Sequence, residues 1–191
     1  MRDWLNLPNI VTMVRVIAAP FVSHAILRGE HVLAAAIFAA AAATDSIDGM
    51  VARRFGGVTA AGAYLDPIAD KIFLGVVFLT LAVAGSLPKW FVGIVFGRDI
   101  LILAASGAAR RLSGRKKFPP SVWGKLSTFL QIVCVVTVLA ANAAPEIAGP
   151  LAMPSVWLSA AATLWSGFHY GWTGAALWRT GEEKLDTLRL G

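Results

Sequence analysis

Charge is scarce in this chain of 191 residues: 15% are Asp, Glu, Lys or Arg, against 57% hydrophobic. A soluble domain carries nearer a quarter of its residues charged, which excludes a water-facing globule of ordinary composition. Cysteine is scarcer still. The one thiol, Cys134, lies inside an apolar run, so an intrachain disulfide framework is excluded and packing is its expected role. No polar stretch is long enough for a separate soluble domain, and no repeat recurs at a fixed period. Residues Met1 to Asn9 lack a basic region followed by a small-residue cleavage site, so the first apolar run is expected to be retained as a span. The three histidines, His24, His31 and His169, have no mutual spacing that suggests a metal site.

What is present is hydrocarbon. The charges cluster and leave apolar stretches of about 20 residues, long enough to cross ~30 Å of lipid, and the mean hydropathy is +0.68. Six spans are expected: Leu7 to Leu27, His31 to Arg54, Gly62 to Gly85, Trp90 to Ala109, Pro119 to Ala144, and Pro150 to Trp178, with a charged tail over 179–191 in water. Alanine from Ala34 to Ala43 lets the second span approach its neighbours closely, which matters where lipid offers no hydrophobic drive to associate. Trp4, Trp90 and Trp178 fall near span ends, where amphipathic rings are favoured. Arg2, Arg53, Arg54, the run Arg110, Arg111, Arg115, Lys116 and Lys117, and Arg179, Lys184 and Arg189 fall on one side, against Arg28 and Lys89 on the other. The positive-inside rule then puts both termini in the cytoplasm. The fold expected is an all-α integral membrane bundle of six transmembrane helices, forming a single domain over 1–191. The net charge of +6 flanks the spans, which points to anionic lipid headgroups and not to nucleic acid.

Five acidic residues break the apolar spans or their ends: Asp45, Asp48, Asp66, Asp70 and Asp99. An ionisable group there costs at least ~2.5 kcal/mol on insertion scales and is by default functional. Asp45, Asp48 and Ala52 fall at i, i+3 and i+7 on one helix face, and Gly62, Asp66 and Asp70 step by four on the next helix. The short link between the two helices makes them antiparallel neighbours, so the four carboxylates converge near the cytoplasmic end. Four converging carboxylates repel unless cations neutralise them, and an all-oxygen donor set favours Mg²⁺ or Mn²⁺. Two such ions bridging a diphosphate would stabilise attacking and leaving oxygens together. The bland alternative has each Asp paired with Arg53, Arg54 or Lys71 as helix glue.

From Asp45 to Asp70 the chain reads D-x2-D-G-x2-A-R-x8-G-x3-D-x3-D. This resembles the signature of the CDP-alcohol phosphatidyltransferase family with every motif position filled, and the family's six-helix architecture matches the span count over nearly the whole chain. The resemblance implies that Asp45, Asp48 and Asp66 ligate two divalent metals, Mg²⁺ or Mn²⁺, and that Asp70 both ligates and acts as general base. It implies that Gly49 lets the nucleotide of the CDP-lipid approach the helix backbone, that Arg53 contacts the pyrophosphate, and that Asp48 and Asp66 border the same nucleotide. Ala52 and Gly62 keep the helices close to it, and Thr59 matches a hydroxyl position outside the core motif. The string Asn6-Leu7-Pro8-Asn9-Ile10-Val11-Thr12 with Arg15 resembles the start of the glycerophospholipid branch. Asn9 and Thr12, one turn apart, would hydrogen-bond the nucleotide or simply start an interfacial helix. Arg15 is open between snorkelling and the site.

Arg98 and Lys125 lie within spans four and five, where they would hold an acceptor's phosphate, or Arg98 would pair with Asp99 or a motif carboxylate. Arg110 opens the basic loop and is a third acceptor candidate, beside the reading of that loop as a lipid-hugging face. The implied reaction takes CDP-diacylglycerol and a glycerol-type acceptor to a phospholipid and CMP at the cytoplasmic face of a bacterial inner membrane, in a homodimer. Arg98-Asp99 followed by Ile-Leu-Ile-Leu resembles the CMP-forming cardiolipin synthases, so phosphatidylglycerol is slightly favoured as acceptor over glycerol 3-phosphate, the acceptor of phosphatidylglycerophosphate synthases. Inositol phosphate or serine would use the same chemistry. An intramembrane prenyltransferase or an ion-coupled transporter would use intramembrane carboxylates differently, the former usually with more helices than this length supplies.

Overall fold

The computed structural model describes residues 7–55, 62–113 and 122–189, with side chains described over 13–43, 69–104 and 122–172. The described residues form six α-helices and no strand: α1 (Leu7–Leu27), α2 (His31–Phe55), α3 (Gly62–Val83), α4 (Lys89–Ser113), α5 (Val122–Ala143) and α6 (Pro145–Arg189). Helix boundaries fall where the charge clusters and Gly or Pro put them, with one difference. Helix α6 begins at Pro145 and runs 45 residues, through the segment expected as a separate charged tail. That segment is rich in Leu, Glu, Lys and Arg, all good helix formers, and no proline follows Pro154 to stop it.

Two helices end in the same way. At the end of α1, Gly29 adopts φ 75°, with its N–H donating to the Ile26 carbonyl (3.0 Å) and the Glu30 N–H donating to that of Ala25 (2.9 Å). At the end of α3, Gly85 adopts φ 77°, and the N–H groups of Gly85 and Ser86 donate to the carbonyls of Ala82 (3.2 Å) and Leu81 (2.9 Å). This is the Schellman arrangement, which satisfies orphan carbonyls and needs a left-handed residue that glycine supplies without strain.

The chain packs as two units. The first comprises 1–88 and 134–153, the second 89–133 and 154–191, so that α5 and α6 each contribute to both. In the first, α1 packs against α2 and α3. Its buried stripe, Arg15, Ala19, Val22 and Ile26, repeats at i, i+4, i+7 and i+11. Helix α2 answers with Ala34, Phe38 and Ala41, and α3 with Ala69, Phe73, Val77 and Leu81, all buried. Phe38 and Phe73 stack with centroids 5.4 Å apart, joining α2 to α3. The Thr80 and Ser23 hydroxyls lie 3.0 Å apart, joining α3 to α1, and Asn142 donates to Ser86 (2.7 Å).

The second unit is built differently. Phe91, Val92 and Val95 of α4 and Val156 and Ala160 of α6 are buried, but so are Ser127 and Gln131 of α5 and Ser159, Thr163 and Ser166 of α6. Meanwhile large apolar side chains lie outside in both units: Ile147 is 81% exposed and Trp172 71%. Among the described residues, two helices are long and apolar enough to cross a membrane, Val122–Ala143 and Pro145–Trp172, with mean hydropathies of 1.9 and 1.3. Met13–Leu27 and His31–Ala43 are shorter apolar stretches, in helices whose remaining side chains are not described.

Candidate functional site

The sequence motif is divided between two neighbouring helices of the first unit. Asp45, Asp48, Gly49, Ala52 and Arg53 lie on the C-terminal half of α2, and Gly62, Asp66 and Asp70 on the N-terminal half of α3. Asn9 and Thr12 lie in the first two turns of α1, which packs against both. The side chains of all these except Asp70 lie outside the described ones, as does that of Arg110, and Thr59 lies outside the described residues altogether.

Asp70 is therefore the informative position. Its side chain is 40% exposed, and it forms an ion pair with the guanidinium of Arg15, a residue only 4% exposed. The partner is thus on α1. Arg53, Arg54 and Lys71 were the partners in the bland alternative, whereas Arg15 was open between snorkelling and the site. The signal that points to Arg15 is its register, since it continues the buried stripe Ala19, Val22 and Ile26 by one further turn. A cation buried on that face requires a counter-charge, because a lone guanidinium in an apolar surrounding is costly.

In the second unit, Arg98 of α4 is engaged by its own neighbours. Its Nη1 donates to Asp99 Oδ1 at 2.8 Å and its Nη2 to Ser166 Oγ of α6 at 3.0 Å. Its guanidinium lies 6.0 Å from the Tyr170 ring centroid. Gly124 of α5 makes room for this arrangement: a Cβ there would meet Tyr170 Oη at 3.1 Å and Arg98 Nη2 at 3.2 Å. Of the two expectations for Arg98, the pairing with Asp99 is the one seen, and one face of the guanidinium is used before any acceptor arrives. Lys125, beside Gly124, is exposed.

Below Arg98 runs a seam not foreseen from sequence. Gln131 Nε2 donates to Thr163 Oγ1 (3.1 Å) and, more weakly, to Ser127 Oγ (3.4 Å). The Ser127 and Thr163 hydroxyls are 3.1 Å apart, and Thr163 donates to the Ser159 carbonyl (2.7 Å). The sequence signal was available, because Ser159, Thr163, Ser166 and Tyr170 recur at i, i+4, i+7 and i+11, and Gly124, Ser127 and Gln131 at i, i+3 and i+7.

Against known proteins, the family model of the CDP-alcohol phosphatidyltransferases matches residues 5–165. The chain belongs to this family. A probable phosphatidylglycerophosphate synthase of Mycobacterium tuberculosis is 36% identical over 165 residues, covering 83% of this chain and 75% of that one. A CDP-diacylglycerol--glycerol-3-phosphate 3-phosphatidyltransferase of Sodalis glossinidius is 31% identical, covering 87% and 93%. A probable CMP-forming cardiolipin synthase of Drosophila melanogaster is 29% identical, covering 85% of this chain and 49% of that one. This CDP-alcohol phosphatidyltransferase is accordingly a transferase of phospholipid biosynthesis from a membrane-integral family that generally uses divalent metal ions. Among the described residues no three metal-ligating side chains gather. A donor set of carboxylate oxygens alone is the kind that hard divalent ions take, and Asp70 is its one member whose side chain is described.

Proposed function

We propose that the whole chain, 1–191, acts as one catalytic domain that transfers the phosphatidyl group of CDP-diacylglycerol to a glycerol-type acceptor. The observation that carries the reading is the complete signature from Asp45 to Asp70, split between α2 and α3, which the Phe38–Phe73 stack brings into contact. Asp45, Asp48, Asp66 and Asp70 would hold two Mg²⁺ or Mn²⁺ ions, which when bound supply charge neutralisation for the diphosphate. Asn9, Thr12, Gly49, Ala52, Arg53, Thr59 and Gly62 border the nucleotide, with Arg53 on the pyrophosphate. Asp70 takes the proton of the acceptor hydroxyl, whose oxygen attacks the phosphorus bearing diacylglycerol. The bond from that phosphorus to the bridging oxygen breaks, and CMP leaves with the electron pair.

Phosphatidylglycerol is the acceptor we favour, giving cardiolipin, on the Arg98-Asp99 pair. Glycerol 3-phosphate is the second reading, supported by the higher identities to the Mycobacterium and Sodalis enzymes. Arg98, Lys125 and Arg110 are the groups offered to the acceptor's phosphate in either case. A lipid bilayer is the surrounding in this reading, supported by exposed Ile147, Leu151, Phe168 and Trp172 beside buried serines and threonines. The site faces the cytoplasm of a bacterial inner membrane in this reading, as a soluble nucleotide product requires, and the protein works as a homodimer.

The test is purified protein with labelled CDP-diacylglycerol, Mn²⁺ and a panel of acceptors, read by chromatography of the lipids and by CMP release. Cardiolipin from phosphatidylglycerol is expected. Phosphatidylglycerophosphate instead would select the second reading, and release of neither CMP nor lipid product with any acceptor would sink both. Reporter fusions after Arg54, Arg115 and Gly191 should face the cytoplasm, and fusions after Glu30, Leu87 and Glu146 the other side; a cytoplasmic Leu87 would break the six-span topology.

A further inference from the structure

We propose that Arg15 is a resident cation for Asp70, holding the carboxylate while the divalent ions are absent and opposing their binding. The inference rests on the two-ion reading above and adds to it a residue of α1 that the motif does not contain. Its first support is position. Arg15 is 4% exposed, in register with Ala19, Val22 and Ile26, and α1 packs on α3, so the guanidinium is built into the helix interface. It does not reach in from the rim. Its second support is the pair itself, formed with the last aspartate of the signature.

The third support is charge. Four aspartates carry a formal charge of about −4 and two divalent ions about +4, so the loaded site is already neutral, and a guanidinium in contact with Asp70 adds a surplus positive charge beside the ions. Without ions the balance reverses: the carboxylates repel one another, and Arg15 relieves the one carboxylate it touches. A single side chain thus stabilises the empty site and opposes the loaded one. Arg15 is a positioning residue in this scheme, since it acts through Asp70 and touches no substrate.

Two measurements on the full-length protein in detergent test this, neither of which reads turnover. One is the unfolding midpoint in EDTA, followed by tryptophan fluorescence; the other is Mn²⁺ binding, followed by the electron paramagnetic resonance of the free ion. Arg15→Gln is expected to lower the EDTA midpoint yet bind Mn²⁺ at least about tenfold more tightly, because a like charge at contact range has been removed. Arg15→Lys keeps the charge and should stay near wild type in both. An unchanged EDTA midpoint, or weaker Mn²⁺ binding in Arg15→Gln, would overturn the proposal. If Arg15→Gln does not accumulate, the double variant Arg15→Gln/Asp70→Asn, which removes both charges, should; a double variant as poor as the single would also overturn it. Mn²⁺ binding by the wild type without tightening in Arg15→Gln defeats this proposal alone. No Mn²⁺ binding by the wild type defeats the two-ion reading and this proposal with it.

Discussion

The unit built on α1, α2 and α3 and the unit built on α4 with parts of α5 and α6 bury polarity in opposite ways. In the first, the described interior is alanine, valine, leucine and phenylalanine, with the Arg15–Asp70 ion pair set into it. In the second, hydroxyls and an amide line the interior in a continuous seam from Ser159 through Thr163, Ser127 and Gln131, with Arg98, Ser166 and Asp99 beyond it. The difference teaches that one chain can hold its helices together in two ways where lipid cancels the hydrophobic drive. In the first unit close apolar packing and a stacked ring pair dominate, beside two side-chain hydrogen bonds, whereas in the second the hydrogen bonds between helices run through the buried interior.

The sharpest way to break this comparison is to remove the charges the first unit keeps. Asp45→Asn, Asp48→Asn and Asp66→Asn should each abolish CMP release with expression intact, because each deletes an anionic ligand from a shared cluster. Near wild-type turnover in any of them at saturating Mg²⁺ and Mn²⁺ would remove the functional distinction between the units. Asp70→Asn should lower turnover by at least ~10²-fold while CDP-diacylglycerol still binds, since the amide keeps a ligand oxygen but accepts no proton. Loss of nucleotide affinity as large as in Asp45→Asn would make Asp70 mainly a ligand.

A second experiment probes packing alone. Phe38→Ala deletes a ring that is buried and stacked on Phe73, and about 3 kcal/mol of stability should be lost on unfolding from detergent. The matching experiment in the other unit is Thr163→Val. It preserves shape but strips Gln131 and Ser127 of their common partner, and the expected loss is about 1–2 kcal/mol. An equal or larger loss than for Phe38→Ala would mean that the hydrogen-bonded seam is the stronger device. Smallest of all should be Ser23→Ala. Thr80 keeps its bond to the Val76 carbonyl (2.8 Å) when Ser23 is gone, so about 0.6 kcal/mol is the most expected.

Much of this was legible beforehand, and for identifiable reasons. The helices end where local chemistry ends them. Gly29 and Gly85 take up left-handed caps that few other residues accept, and Pro145 opens α6 where its missing N–H does no harm. The aspartates announced themselves because an acidic side chain in an apolar run has few other reasons to be there. The end of α6 was harder to see, since a charged segment reads as tail although its residues favour helix.

By itself, then, the sequence determined the six helices, the scarcity of water-seeking surface, and the pairing of aspartates on two successive helices. Those properties are local: spacing, propensity and hydropathy act within a few turns of the chain. Only the tertiary structure decided that Asp70 pairs with Arg15, fifty-five positions earlier. It alone decided that Arg98 meets Ser166 and Asp99, and that a side chain at Gly124 would crowd Arg98 and Tyr170. Each of these depends on how far one helix is rotated against another. That angle is set by the sum of many contacts along both, and no short stretch of sequence contains it.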